Sequence, residues 1–161
     1  MNIIFFFGMK KENGFMSNFY PCQFTVDGLQ YNCSEQYFMK QKQEYFDPTN
    51  TELGNKIMLE TGPKKIKLYG RQVKNYDENK WNLVRYKIMK RGLWYKFQQP
   101  ELKEKLLATN NKILAEASPF DKIWGIGLNA ENASKINPKI WPGQNLLGKA
   151  LMEVRNDLGK V

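Results

Sequence analysis

Residues 79 to 98 constrain this chain more than any other stretch, because they read as one long, proline-free helix that is apolar on two sides. Trp81, Val84 and Ile88 recur at helical spacing as one stripe, and Tyr86, Met89, Leu93 and Phe97 form a neighbouring one. A helix with a single apolar stripe lies on a core. One with two adjacent stripes runs through it.

The other elements are short. Residues 2–7 read as a strand, and residues 24–31 as a hairpin with Asp27-Gly28 as its two-residue turn. Ser34 is a credible N-cap for a helix running to about Phe46, which Asp47-Pro48 ends. A helix over residues 51–60 is closed by Gly62, and Pro63 opens the next, to about Val73. Pro100 starts a helix to about Thr109 with Leu102, Leu106 and Leu107 inward. Residues 112–117 read as a strand or a helix end, and residues 121–128 as a glycine-rich loop or strand–loop. Residues 145–158 form a closing helix with Leu147, Leu151, Val154 and Leu158 on one face. No repeat, low-complexity segment or linker interrupts the 161 residues. The expectation is an α+β fold, helix-dominated, with a few short N-terminal strands, in a single compact domain over residues 1–161.

The chain contains no histidine. Proton transfer near neutral pH then falls to Glu, Asp, Lys, Tyr or Cys with a shifted pKa. Cys22 and Cys33 are only two thiols at the wrong spacing, so a zinc site is not expected; no cofactor is expected either. No export signal or membrane span is legible, and free thiols fit a reducing, cytoplasmic setting. The formal charge of +9 is scattered without a run of five or six basic residues. A lysine-rich solvated surface accounts for it slightly better than a nucleic-acid patch, and either attracts an anionic small molecule.

Glu35 and Lys42 lie seven residues apart on the helix that follows the hairpin. That is nearly two turns, so both leave one face with Cα atoms roughly 10 Å apart, and Lys42 leans back toward Glu35. They form an acid–amine pair if the face lines a cleft, and an ordinary solvated face if it does not. Ser17-Asn18-Phe19-Tyr20-Pro21 is a polar-aromatic loop nearby in sequence. In residues 119–127, Gly125 and Gly127 let backbone approach a ligand, Trp124 offers a stacking face, and Asp121 offers a carboxylate to sugar hydroxyls. A tight turn around a core tryptophan reads equally well there. Asn145 begins a helix after a glycine-rich approach, as an anion site or a plain N-cap. Arg71 could fork a phosphate or decorate a helix surface, and Trp81 is by default a core residue.

Taken in order, Ser17-Asn-Phe-Tyr-Pro, the Glu35 helix, Gly70-Arg71-x-Val73, Trp81, Lys96-Phe97, Leu107-x-Thr109, Glu116-x-Ser118 with Asp121-x-x-Trp124-Gly-x-Gly127, Trp141-x-Gly143-x-Asn145-x-Leu-Gly148 and Leu151-Met152-x-x-Arg155 resemble the NADAR family of YbiA-like N-glycosidases, across essentially the whole chain. The resemblance implies a helix-dominated domain that cleaves the bond between a ribose carbon and a base nitrogen without a metal. Implied substrates are phosphorylated early intermediates of riboflavin biosynthesis, or ADP-ribose attached to guanine, including ADP-ribosylated nucleic acid. It matches the catalytic carboxylate to Glu35, the helix lysine to Lys42, and the family's tryptophan and aspartate to Trp81 and Asp121. Ser17, Asn18, Phe19, Arg71, Trp124, Gly125, Gly127 and Asn145 fall on expected substrate-binding positions. One departure is visible: many members carry a histidine after the glutamate, where this chain has Gln36. An amide cannot titrate, so altered tuning rather than inactivity is expected.

Two routes to hydrolysis follow. Lys42 attacks the anomeric carbon to give a Schiff base, or Glu35 activates water while Lys42 stabilises charge. A non-catalytic ADP-ribose or nucleotide reader is the alternative class, and a basic nucleic-acid module a third, which would bind ordinary DNA or RNA with steep salt dependence.

Overall fold

A computed structural model describes residues 2–160. In chain order its elements are β1 (Ile3–Phe6), β2 (Phe24–Val26), β3 (Leu29–Tyr31), α1 (Ser34–Phe46), α2 (Thr51–Leu59), α3 (Pro63–Gly70), α4 (Glu78–Lys96), α5 (Pro100–Leu107), β4 (Ile113–Glu116), α6 (Ala130–Ser134) and α7 (Leu146–Leu158). Short 3-10 turns cover Glu12–Met16 and Pro138–Ile140. The fold is α+β and helix-dominated, as the periodicities predict. Its residues group into two compact units: Pro21–Gln98, and a second made of Met1–Tyr20 with Gln99–Val161.

In the Pro21–Gln98 unit, β2 and β3 pair antiparallel, Phe24 opposite Tyr31, across the expected turn, in which Asp27 and Gly28 both take positive φ (51° and 81°). The inward face of this hairpin supplies Phe24, Val26 and Tyr31 to a core completed by Tyr37 of α1. α1 is the hub, packing on α2, α3 and α4. Its N-cap is Cys33, whose Sγ accepts from the Gln36 N–H at 3.4 Å, so the expected cap at Ser34 is corrected by one residue. Asn32 continues the hairpin's pairing by accepting from the Cys22 N–H, and the chain turns into the helix only after it. α3 ends at Gly70, three residues short of the expected Val73.

α4 buries Trp81, Met89 and Leu93 as anticipated, but the buried stripe also holds Arg85 and Lys96. The two apolar stripes of the sequence are therefore one apolar face with two cations in it, and Val84, Ile88 and Tyr86 are only half-buried.

In the other unit, β1 and β4 form a parallel pair, Ile3 opposite Ile113. Residues 112–117 are thus a strand rather than a helix end. α7 packs on β4 and α5, with Leu147, Leu151, Val154 and Leu158 all buried. Arg155 donates at 2.9 Å both to Thr109 Oγ1 and to the Lys112 carbonyl, stapling α7 to the turn between α5 and β4. That contact brings Thr109 and Arg155, both among the positions that carry the resemblance, together in space. No helix among the described residues is long and apolar enough to cross a membrane.

Candidate functional site

Glu35 occupies the first turn of α1 and is buried, at 8% exposure. A carboxylate there faces the positive end of the helix dipole, which favours its charge. Two turns on, Lys42 is half-buried. Its Nζ donates to the Gly70 carbonyl at 2.9 Å and lies 4.6 Å from the centre of the Tyr76 ring. Burial pushes the Lys42 amine below the usual lysine range; the Glu35 carboxylate pulls it back up and the Arg71 guanidinium pushes it further down. The net direction is down. The helix face predicted from spacing therefore carries a buried carboxylate and a half-buried amine rather than two solvated side chains.

Arg71, the C-cap of α3, is exposed, and its charge reaches Lys42. Trp81 is buried against Phe38, Phe46 and Tyr45 of α1, with ring centroids at 5.1, 5.8 and 6.1 Å. This aromatic packing fixes α1 on α4, so Trp81 supports the helix that carries the pair. Phe46 in turn meets Tyr76 at 5.3 Å. Sequence reasoning missed Tyr76 and Arg85. The one signal for Arg85 is that it follows Trp81 by four residues and so shares its face, which spacing alone does not tell from that face's solvated edge.

Gln36, at the position where many family members carry histidine, is fully committed to backbone. Its Oε1 accepts from the Asn32 N–H at 2.7 Å, and its Nε2 donates to the carbonyls of Ile57 and Met58 at 3.0 and 3.1 Å. The amide thus ties the start of α1 to the end of α2.

The remaining predicted residues belong to the other unit. Ser17 is buried, with its Oγ accepting from the Phe19 N–H at 3.1 Å; Asn18 and Phe19 are half-buried. The Asp121 carboxylate accepts from the Ile123 and Trp124 N–H groups, both at 2.9 Å through one oxygen, which shapes the loop before Trp124. Gly125 and Gly143 are glycine for close chain approach: a Cβ on Gly143 would strike the Gly125 carbonyl, and the Gly143 N–H donates to the Ile126 carbonyl at 2.8 Å. Gly127 takes a φ of 75°. Asn145 stands at the N-cap of α7 but does not cap it. With φ at 53°, its side chain donates to the Leu114 carbonyl at 2.9 Å and accepts from the Glu116 N–H at 3.1 Å, extending β4 sideways. The plain N-cap reading is corrected accordingly. A cavity of about 430 Å³ in this unit, lined by Phe5, Phe6, Phe7, Lys11 and Ala117 among others, contains none of the predicted residues.

The fold is helix-dominated α+β, and one face of α1 carries the buried carboxylate of Glu35 and the half-buried amine of Lys42. The chain belongs to the NADAR family: the NADAR domain model matches residues 5–159, a span that includes both units. It is 39% identical to the N-glycosidase R617 of Acanthamoeba polyphaga mimivirus, over 96% of this chain and 95% of that one. It is 31% identical to a riboflavin biosynthesis protein of Vibrio vulnificus, over 96% of this chain but 38% of that longer protein. Among solved structures it is similar to the E. coli protein YbiA, with a TM-score of 0.79 and 30% identity over 99% of this chain and 86% of that one.

Proposed function

We propose that this protein hydrolyses the N-glycosidic bond between a base and a ribose that is phosphorylated or part of ADP-ribose, acting in the cytoplasm without a metal or cofactor. Riboflavin-pathway intermediates and ADP-ribosylated guanine, free or in nucleic acid, are the substrate candidates. The observation that carries this reading is the depressed amine of half-buried Lys42 on the same helix face as the buried Glu35. An amine attacks only when neutral, and burial with a neighbouring guanidinium raises its neutral fraction.

In the proposed sequence the Lys42 lone pair attacks the anomeric carbon. The C–N bond breaks, its electron pair leaves with the base, and Glu35 supplies the proton the base nitrogen needs. The ribose ring oxygen then departs from that carbon, taking one of the protons that attack left on the Lys42 nitrogen, and the lone pair so freed forms the iminium. Water adds to the iminium and gives a proton back to the Glu35 carboxylate, and the resulting carbinolamine collapses, its hydroxyl proton passing to nitrogen, to release ribose and return the neutral amine. Trp81 holds α1 in register for this work. In the other unit, Asp121 and Trp124 are the family-matched positions to substitute first.

The test is incubation with ADP-ribosylated guanine and with phosphorylated riboflavin-pathway intermediates, with released base measured by chromatography. Release that Glu35→Gln abolishes supports the hydrolase. Tight binding with no release from any of these substrates replaces it with an ADP-ribose or nucleotide reader.

A further inference from the structure

On α4, Trp81, Arg85, Met89 and Leu93 recur every four residues and all are buried. Arg85 keeps 8% exposure. Among the described residues, no hydrogen bond or ion pair holds its guanidinium. A charge so far out of water is normally paired, because desolvation without a partner is costly. The surroundings of Arg85 add more positive charge. Its guanidinium acts on the Tyr76 hydroxyl, and the Tyr76 ring lies beneath the Lys42 amine at 4.6 Å. Lys42 in turn feels Arg71 and Glu35. Asp77 and Glu78 also act on Tyr76, but both are exposed and neither pairs with Arg85. The result is a buried guanidinium with no hydrogen-bonded or ion-paired partner, acting on the same tyrosine that the half-buried Lys42 amine faces, in a cluster where Glu35 is the buried carboxylate and the cations have room for a further anion.

We propose that Arg85 is the phosphate-reading residue of this site, its guanidinium forking the phosphate on the 5′ carbon of the ribosyl substrate while Lys42 is left to the anomeric carbon. The assignment rests on the ribosyl hydrolase reading above. A guanidinium presents paired donors that match phosphate oxygens, and a desolvated one makes each contact stronger. Arg71, exposed and screened by solvent, steers the anion and contributes less once it is bound.

The test titrates ribose, ribose 5-phosphate and ADP-ribose into the full chain by calorimetry, for the wild type and for Arg85→Met, Arg85→Lys and Arg71→Gln. Wild type is expected to bind ribose 5-phosphate roughly 10- to 100-fold tighter than ribose, the range of a desolvated charge-assisted contact. Arg85→Met erases that preference, Arg85→Lys retains part of it, and Arg71→Gln reduces it by only a few fold. Loss confined to ribose 5-phosphate identifies a monoester ligand; loss confined to ADP-ribose identifies a diphosphate. Equal wild-type affinity for ribose and its phosphates, or an Arg85→Met protein that keeps the preference, overturns the proposal. Should Arg85→Met fail to fold, the Arg85 Nε–H resonance of the wild type decides the matter: it shifts on adding ribose 5-phosphate, and a resonance that stays put is the overturning result. Turnover separates this inference from the one beneath it. A protein that binds ribose 5-phosphate through Arg85 yet releases no base overturns the hydrolase and leaves the phosphate site. A hydrolase whose KM for phosphorylated substrate is unchanged in Arg85→Met overturns the phosphate site and leaves the hydrolase.

Discussion

Lys42 donates a 2.9 Å hydrogen bond to the carbonyl of Gly70, which ties the amine at the end of α1 to the last residue of α3. That contact depends on how closely α3 approaches α1. Gly70 is buried, and a Cβ there would collide with the Met39 thioether on α1. Gly70→Ala is therefore expected to cost roughly 1–3 kcal/mol by overpacking and to displace the carbonyl that positions the amine. Urea melts give the stability, and kcat gives the displacement. Shortening the neighbour in a Gly70→Ala, Met39→Val double variant should recover much of both losses, as coupled contact positions do. Full additivity of the two changes would mean that Met39 is not what holds the site to a glycine.

Glu35→Gln keeps shape and hydrogen bonding but removes the proton and the charge. If Glu35 protonates the leaving base, turnover falls by about 10²–10⁴-fold, the usual contribution of a positioned acid. Stability should move by no more than about 1 kcal/mol, because the replacement is isosteric. Near-normal rates in this variant would place the catalytic carboxylate elsewhere.

The sequence disclosed the elements far better than the polar interior. Hairpin, helix starts and the α7 face were legible because a turn dipeptide, prolines and a helical period each have a local cause. The Glu35–Lys42 pair was legible for the same reason, since one helix carries both. Arg85 and Lys96 were not recognised as buried, because a cation on an apolar face reads as that face's solvated edge until the packing around it is known. Asn145 misled in the opposite way. It has the residue type of a cap, yet its side chain serves the backbone of β4, a strand 29 residues earlier in the chain. No local pattern encodes such a contact. Gln36 gave up its proton chemistry legibly, but its tie to α2 depends on carbonyls more than 20 residues away.

Lys96 supplies a pH signature that can be read without any substrate. It is fully buried, and desolvation drives its amine down to about 8, against a smaller upward pull from Cys22 and Cys33. Between about 8 and the ordinary 10.5 the folded protein holds this lysine neutral while the unfolded chain keeps it protonated. The unfolded state then binds more protons, so this group's contribution to stability rises with pH across that window. The Cys22 and Cys33 thiols, raised by burial, act in the opposite direction as pH climbs past their usual range. The comparison must therefore be with Lys96→Met. Urea midpoints from about pH 7 to about pH 11 should show the stability of wild type gaining on that of Lys96→Met between 8 and 10.5. A constant difference across the window would mean that Lys96 does not titrate there.

Lys42 separates covalent from non-covalent chemistry. If its amine attacks the ribose, borohydride added during turnover reduces the iminium, and peptide mapping places the sugar on Lys42. Lys42→Arg keeps the positive charge but offers no usable nucleophile, so its rate should collapse almost as far as that of Lys42→Ala. The pH profile adds an independent reading. Attack needs the neutral amine, so kcat/KM rises with pH through the Lys42 pKa, which burial and Arg71 hold below the ordinary 10.5. Arg71→Gln removes one of the depressing influences, the pKa moves up, and the rising limb shifts to higher pH. Lys42→Arg, by contrast, should lose this limb altogether, because a guanidinium does not titrate in the accessible range. If Lys42 instead stabilises charge, the protonated amine is the working form, activity falls as pH passes the same pKa, and Arg rescues much of the rate. An active, untrappable Lys42→Arg enzyme would end the Schiff-base route and leave Glu35 activating water across the face from a fixed cation.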